Sequence, residues 1–457
     1  MFHLWFWNLG NENYYEEKMD EDSDIEPMIN MVLPESSTHH LSITNVLDYC
    51  KSKIINPYLR LLSLMGLRPL IYEQHEPGCC TDVANFLYTS LVVLLMICGY
   101  VIQYMACFRR DRGFCQVRQQ HQQQQYGELL DARAVNVTYV YEKTCDGSVL
   151  FTFITPSVLH LFGYIHAVMV FRGSDDDQLP ILMERVFISS ANLPNGFLSQ
   201  KKLVRTLWWF VSVSLIWMLL SMVSVNSMMI AADDIVTFKW LQDCPPYVGT
   251  IMKVMLIVCT LWHDIVQASV ISNYCLQAHL LTCNLHFLRQ KLLQYPIRPL
   301  EWMRDIEDFK KMLRHFNQQI APSVCLFTIV NLSCSIAGLL WLFKFDRIDT
   351  ETLPVFGTSV SNVILWILIS IVPFVQAARL TNACEIIKAV GQEARIRPFV
   401  HQDTPAFELD SVLIYASSLK IDARLFYTPI HGKYLCFLVT VSVIMLLVLG
   451  QLHYYLL

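Results

Sequence analysis

The stretch GTSVSNVILWILISIVPFVQAA, residues 357–378, contains no charged side chain. A helix of about 20 apolar residues spans the hydrocarbon core of a bilayer. An open strand cannot cross it, because its backbone groups would stay unpaired. This stretch therefore predicts a transmembrane helix. Six more apolar stretches of similar length contain few or no charged side chains, at residues 84–108, 148–171, 206–231, 248–276, 321–345 and 434–455. The sequence thus predicts an all-α membrane protein with seven transmembrane helices.

The composition supports a membrane protein and argues against several other classes. Apolar residues make up 54% of the chain and charged residues 16%, whereas an ordinary soluble domain has about 25% charged residues. The net charge of −5 gives no reason to expect a nucleic-acid partner. The sequence contains no His-Glu-x-x-His, Gly-x-Ser-x-Gly or phosphate-loop motif and no Cys-x-x-Cys pair. We therefore expect no catalytic residues, no metal site and no cofactor.

The basic residues of the connections predict the orientation of the spans. The second, fourth and sixth connections carry five, seven and seven Lys and Arg residues, and the third and fifth carry one each. Basic residues accumulate on the cytosolic side. We therefore expect a cytosolic N-terminus and an extracellular C-terminus.

The first connection, residues 109–147, does not follow this pattern. It carries six basic residues, yet parity places it outside the cell. Its sequon Asn136-Val137-Thr138 can be glycosylated only on that side, so Asn136 is a candidate glycosylation site. Cys145 and Cys244 would also lie outside and could form a disulfide.

The remaining segments divide the chain into a tail, a lead-in segment and a helical domain. Residues 1–40 are acidic and are predicted to be a disordered cytosolic tail, and residues 41–83 to be an amphipathic helix leading into the first span. Residues 84–457 form the predicted seven-helix domain, with a cytosolic helical anchor from 280–320 and 380–433. Within the anchor an apolar stripe repeats at three- and four-residue steps and needs cover from a neighbouring helix or another subunit; it consists of Trp302, Ile306, Phe309, Leu313 and Phe316.

Seven helices alone would suggest a G-protein-coupled receptor, but those receptors have an extracellular N-terminus. Two regions instead resemble the insect chemoreceptor superfamily. Residues 56–69, NPYLRLLSLMGLRP, resemble that family's amphipathic helix before the first span. Residues 407–433 resemble its last cytosolic helix, and residues 434–452 its final span. Gustatory receptors end that span with Thr-Tyr, five apolar residues and Gln-Phe. Here only the spacer and Gln451 match, which indicates a divergent gustatory-type receptor.

The resemblance implies a ligand-gated cation channel. It implies a homo- or hetero-tetramer with related receptors, in contact with membrane lipid, in the plasma membrane of a sensory neuron. The last span would line the pore, and a small-molecule ligand would bind among the outer halves of the other spans. The altered last-span motif leaves a second hypothesis open, a transporter or structural membrane protein on the same scaffold.

Two sets of residues are candidates for these roles. Thr440, Ile444, Val448 and Gln451 lie near one stripe of the last span and are candidates to line the pore. The alternative is a stripe that packs against lipid or protein.

Trp366, Asn362 and Lys253 are candidates for the ligand pocket, because an aromatic wall beside a polar donor suits a small organic ligand. Trp366 could instead anchor its helix at the interface, and Lys253 could extend its amine to water. Asp264, eleven residues after Lys253, is expected to pair with a neighbouring helix. The scarcity of hydrogen-bonding groups in these spans predicts a mostly apolar ligand.

Overall fold

The computed structural model describes most of the chain between residues 43 and 433. The described ranges are 43–70, 79–106, 115–120, 140–145, 150–173, 178–191, 196–231, 245–294, 299–343, 353–396 and 405–433. The chain divides into two units, residues 1–49 and 50–457. Within the described part of the first unit, the chain is helical from Ile43, where helix α1 (Ile43–Cys50) begins.

The second unit begins with helical chain that ends in a tight turn. A π-helical segment, Lys51–Ile55, is followed by α2 (Asn56–Leu64). Gly66 then adopts a φ of 73°, a left-handed conformation that residues with a Cβ rarely adopt. The Tyr164 hydroxyl donates to the Met65 carbonyl at 2.9 Å, and the Tyr58 hydroxyl donates to the Ser269 carbonyl at 3.0 Å. These bonds fix α2 and its turn against the membrane helices.

Eight helices of the described chain follow in order. They are α3 (Cys79–Met105), α4 (Thr155–Gly173), α5 (Gln178–Ala191), α6 (Gly196–Ala231), α7 (Pro246–Gln294), α8 (Pro299–His315), α9 (Ala321–Phe343) and α10 (Leu353–Ile396). A π-helical segment, Leu150–Ile154, precedes α4, and another, Phe316–Ile320, joins α8 to α9.

Five helical stretches of the described residues are long and apolar enough to cross a membrane. They lie in α3, α6, α7 and α10 and in the continuous stretch formed by α8 and α9, so the structure confirms a helical membrane architecture. The predicted second span, 148–171, coincides with the π-helical segment and α4. The predicted seventh span, 434–455, lies outside the described residues, as does the predicted tail, 1–40.

Two of the helices are much longer than a bilayer is thick. Helix α7 has 49 residues and α10 has 44. At 1.5 Å per residue each extends over roughly 65–75 Å, about twice the hydrocarbon core. Each of these helices is therefore too long for its whole length to lie in the hydrocarbon core.

The predicted apolar stripe of the anchor is covered within the chain. Trp302, Ile306 and Phe309 are each 0% exposed, and Leu313 and Phe316 are 3% and 1% exposed. The Trp302 indole donates to the Leu288 carbonyl of α7 at 3.2 Å, and the Phe316 ring stacks on Tyr274 at 4.5 Å between centroids. Helix α8 therefore packs against the C-terminal part of α7.

A short helix and a hairpin complete the described chain. Helix α11 (Ala406–Ser418) contacts α8 through Tyr415, whose hydroxyl donates to Glu307 Oε1 at 2.9 Å. Burial raises the pKa of Tyr415, and the neighbouring Glu307 carboxylate raises it further, so the phenol stays protonated. Strands β3 (Arg424–Leu425) and β4 (Thr428–Pro429) form a hairpin with a two-residue loop. The loop residues Phe426 and Tyr427 both have positive φ, as a type I′ turn requires.

The first connection contains another hairpin. Strand β1 (Cys115–Gln120) pairs antiparallel with β2 (Val140–Cys145), and the register places Cys115 opposite Cys145. Asn136 lies between these strands, outside the described residues. Cys244, the partner predicted for Cys145, also lies outside them. In chain order these two strands belong between α3 and α4.

Candidate ligand site among the membrane helices

Three polar aromatic side chains from three helices meet inside the bundle. Tyr100 of α3 stacks on the His263 ring of α7, with 4.3 Å between the ring centroids and 9° between the planes. The Tyr100 hydroxyl lies 2.6 Å from Nδ1 of His160 on α4, and the two histidine rings are 5.5 Å apart. His160 and His263 are 3% and 1% exposed. We call these three residues the Tyr–His cluster.

A second layer of hydrogen bonds orients His263. Its Nδ1 lies 3.1 Å from the Gln103 amide nitrogen, and its Nε2 lies 3.2 Å from the Met96 carbonyl. The neutral tautomer with the proton on Nε2 satisfies both contacts, since Nδ1 then accepts and Nε2 donates. The Gln103 amide also donates to the Thr260 hydroxyl at 3.2 Å. The Tyr–His cluster is thus held by groups from α3 and α7.

One acceptor in this layer has no partner. Gln103 is fully buried, and its Oε1 makes no hydrogen bond in the part of the chain that the structure describes. A buried carbonyl oxygen that accepts no hydrogen bond destabilises the folded protein by about 1–3 kcal/mol.

Close helix contacts and aromatic rings enclose the cluster. A Cβ on Gly99 would lie 2.8 Å from His263 Cε1 and 2.9 Å from Cys259 Cβ, so α3 can approach α7 this closely only because Gly99 has none. The Phe327 ring of α9 packs edge-on against His160 at 4.9 Å. The cluster is therefore enclosed by the close contact of α3 with α7 and by the aromatic ring of Phe327 on α9.

A separate group of polar contacts joins α6 to α7 and α10. The Ser221 hydroxyl donates to Asp264 Oδ2 at 2.7 Å, and both residues are 7% exposed. The Trp217 indole donates to the Leu365 carbonyl of α10 at 3.3 Å. The expectation that Asp264 pairs with a neighbouring helix is confirmed.

Of the predicted pocket residues, Lys253 lies on α7, eleven residues before Asp264, and Asn362 and Trp366 lie on α10. Asn362 is 4% exposed, and Trp366 is half-buried and packs near Gly338 of α9. Lys253 is half-buried on α7. Each of the three makes at least one polar, aromatic or electrostatic contact. Their role in ligand binding stays a prediction.

Other predicted positions fall outside the described residues. These are the pore candidates Thr440, Ile444, Val448 and Gln451 and the glycosylation candidate Asn136. Within the described ranges, no group of three or more His, Cys, Asp and Glu side chains could hold a metal ion.

Sequence reasoning did not assign a role to His160 and His263. Spacing along the chain reveals shared faces within one helix, whereas these residues lie on different helices. His166, six residues after His160, bonds separately to the Ser323 hydroxyl at 2.7 Å. Their position within the predicted spans could have indicated a role. Both histidines lie in the middle of apolar spans, where polar groups usually face a partner or a cavity.

Comparison with solved structures identifies the fold. The structure of the insect olfactory receptor OR5 from Machilis hrabei matches with a TM-score of 0.57 and 12% identity, over 89% of this chain and 100% of that chain. The same receptor in complex with eugenol matches with a TM-score of 0.55 and 10% identity over the same shares. No protein-family model and no curated protein sequence matches the chain. This chain has the fold of an insect olfactory receptor.

Proposed function

We propose that this protein is a subunit of a chemosensory ligand-gated cation channel of the gustatory type. The observation that carries the proposal is the fold, which is shared with an olfactory receptor over the full length of that receptor and 89% of this chain. The gustatory assignment rests on the resemblance of the final span, residues 434–452, to that of gustatory receptors, while residues 56–69 and 407–433 resemble the insect chemoreceptor superfamily as a whole.

We propose that the ligand is a mostly apolar, aromatic small molecule with one hydrogen-bond donor. The buried part of the site offers aromatic surfaces from Tyr100, His160 and Phe327 and one unpaired acceptor, Gln103 Oε1. A polyol would need a partner for each of its hydroxyl groups, because each loses its bound water on entry. The related receptor binds eugenol, which agrees with this ligand class.

Trp366, Asn362 and Lys253 are proposed as a further part of the ligand pocket. In this proposal they lie towards the outer ends of α7 and α10, at the side from which a ligand would enter. The buried Asn362 amide supplies a polar group beside the Trp366 ring.

The channel is proposed to be a homo- or hetero-tetramer in the plasma membrane of a sensory neuron, surrounded by lipid. Thr440, Ile444, Val448 and Gln451 would line the central pathway, with the aliphatic pair forming a constriction that closes by excluding water. The N-terminus would be cytosolic and the C-terminus extracellular, across seven spans.

A calcium-imaging screen tests this function. Cells expressing the chain alone, or together with related receptors, are exposed to a panel of bitter, aromatic and sugar compounds. We expect calcium entry with aromatic or other apolar compounds, and none in cells lacking the protein. A full panel without response, when surface labelling confirms expression, would contradict the proposal.

A variant then connects the response to the Tyr–His cluster. Tyr100→Phe removes only the hydroxyl that contacts His160. We expect a several-fold shift in the ligand concentration that gives a half-maximal response, since one buried hydrogen bond contributes about 0.5–1.5 kcal/mol. An unchanged concentration dependence would place the ligand elsewhere in the bundle.

A further inference from the structure

A single asparagine side chain holds the backbone of the β3–β4 hairpin. Asn317 lies in the π-helical segment that joins α8 to α9. Its amide nitrogen donates to the Asp422 carbonyl at 2.9 Å, and its amide oxygen accepts from the Arg424 N–H at 2.9 Å. The side chain thus satisfies one acceptor and one donor of the backbone, one on each side of Ala423.

Contacts from α9 and α10 also hold the hairpin. The Thr381 hydroxyl of α10 donates to the Ala423 carbonyl at 3.2 Å. The Phe426 N–H donates to Cys325 Sγ of α9 at 3.2 Å. The Phe426 ring stacks on Phe374 of α10, with 6.0 Å between the ring centroids. The hairpin is therefore fastened to two membrane helices as well as to the junction before α9.

The turn of the hairpin has a backbone conformation that depends on such contacts. Phe426 and Tyr427 have φ values of 54° and 60°, and neither residue is glycine. Residues with a Cβ are unfavourable in the left-handed region, and they keep this conformation where the surrounding structure holds it. Tyr427 is 88% exposed, so the contacts that hold the turn act on Phe426. Docking on α9 and α10 therefore stabilises the turn.

Helix α9 connects this hairpin with the candidate ligand site. Phe327, two residues after Cys325, packs against His160 of the Tyr–His cluster with 4.9 Å between the rings. Residues two apart lie on nearly opposite sides of a helix, since each residue turns it by about 100°. One short part of α9 thus contacts the cluster on one side and the hairpin on the other. The predicted final span, 434–455, begins five residues after β4 ends.

We propose that Asn317 couples ligand binding to the final span by making the β3–β4 hairpin move together with α9. Asn317 is a positioning residue in this account, because it acts on the span through the hairpin. A ligand that displaces α9 at the Tyr–His cluster displaces the docked hairpin with it, and the hairpin carries the start of the final span. This inference rests on the proposed function as a ligand-gated channel.

Calcium imaging of Asn317→Ala tests the coupling. Cells with equal surface labelling of wild type and variant are exposed to the panel of bitter, aromatic and sugar compounds, eugenol included. For the panel compound with the largest wild-type response, we expect the maximal response of the variant to fall several-fold. The ligand still binds, but the hairpin follows α9 less. Tyr100→Phe should instead shift the concentration of half-maximal response. A merely structural role of Asn317 would lower surface labelling and leave the response per labelled protein unchanged.

A second variant and a control keep the test independent of one substitution. Thr381→Val removes the hydroxyl that donates to the Ala423 carbonyl and keeps the side chain's shape. It should also lower the maximal response, and it provides the test if Asn317→Ala does not fold. Gln318→Ala is the control, because Gln318 is the next residue of the same π-helical segment and is exposed. We expect it to respond as the wild type does.

Hydrogen–deuterium exchange of the purified full chain measures the fastening itself. Asn317→Ala should speed exchange of the Arg424 amide several-fold, whereas Gln318→Ala should not, because only Asn317 accepts from that amide. Unchanged exchange in Asn317→Ala would overturn the fastening. Faster exchange with an unchanged maximal response, or an equal loss of response in Gln318→Ala, would overturn the coupling alone. A wild type that responds to no panel compound would contradict the channel function, and this inference would fall with it.

Discussion

Gly99 controls how closely α3 approaches the Tyr–His cluster. Its missing Cβ leaves room for His263 and Cys259, which an alanine would approach to 2.8 and 2.9 Å. We expect Gly99→Ala to lower the free energy of unfolding by about 1–3 kcal/mol, because overpacking forces the His263 ring or the backbone to move. Thermal unfolding in detergent, followed with a thiol-reactive dye, measures the change.

Gly249→Ala is the control for this prediction. Gly249 lies in the membrane part of α7, and nothing lies within 4 Å of a Cβ built on it. Alanine there should leave stability unchanged or raise it by up to about 1 kcal/mol through its better helix propensity. If the two variants had the same free energy of unfolding, the contact between Gly99 and His263 would not be tight.

At the scale of single residues, the sequence allowed predictions for residues that share a face of one helix and for single charged residues within a span. The expectation for Asp264 succeeded because an acid at membrane depth must find a partner, and Ser221 supplies it. The partnership of His160 and His263 depends on the packing of α4 against α7, which no spacing along the chain encodes.

The side chain of Trp302 anchors helix α8 against helix α7. This residue is 0% exposed and its indole bonds to α7. We expect Trp302→Ala to destabilise the protein by about 3–5 kcal/mol, the usual loss for a buried Trp. Leu300→Ala on the same helix is the control, since Leu300 is 79% exposed and should change stability little. Equal unfolding temperatures for the two variants would contradict the packing described.

The hairpin β1–β2 leads to a prediction about the first connection. Its register sets Cys115 opposite Cys145, and directly opposed residues have Cα atoms about 4.5–5.5 Å apart, within the range for a disulfide. If this connection is extracellular, we expect a Cys115–Cys145 bridge in place of Cys145–Cys244. Mass spectrometry of unreduced peptides should recover the two linked segments. A peptide linking Cys145 to Cys244 would show the original expectation to be correct.

At the scale of elements, the hydrophobic patterns predicted where the described helices lie more accurately than where they begin and end. The stripe of α8 was visible because its period is that of a helix. The sequence alone left open whether another helix or another subunit covers it, and α7 does so, because α7 continues to Gln294 and the Trp302 indole bonds to its Leu288 carbonyl. Helix α7 runs without a break to Gln294 and so joins the predicted fourth span to the start of the predicted anchor at residue 280.

The topology of the whole chain can be tested without knowledge of the ligand. We expect glycosylation at Asn136, detected as a mobility shift that a glycosidase removes and that Asn136→Gln abolishes. Tags at the N-terminus and at Gln402 should be labelled only in permeabilised cells, because the basic connections place both in the cytosol. A tag after Leu457 should be labelled in intact cells.

An accessible N-terminal tag in intact cells would reverse this orientation. It would also restore the alternative of a G-protein-coupled receptor. At the scale of the whole molecule, apolar lengths were enough to predict the helical membrane fold, which the likeness to a solved olfactory receptor supports. The number of subunits depends on contacts between chains, so it stays a proposal.

The most direct test of the proposed channel is the reversal potential of a ligand-evoked current. Membrane patches from expressing cells are exposed to a compound that is active in the imaging screen, first in external sodium and then with sodium replaced by a large organic cation. We predict a current that reverses near 0 mV in sodium and shifts by tens of millivolts to negative potentials after replacement. The absence of an evoked current with surface expression confirmed, or a reversal potential that follows chloride, would contradict a ligand-gated cation channel.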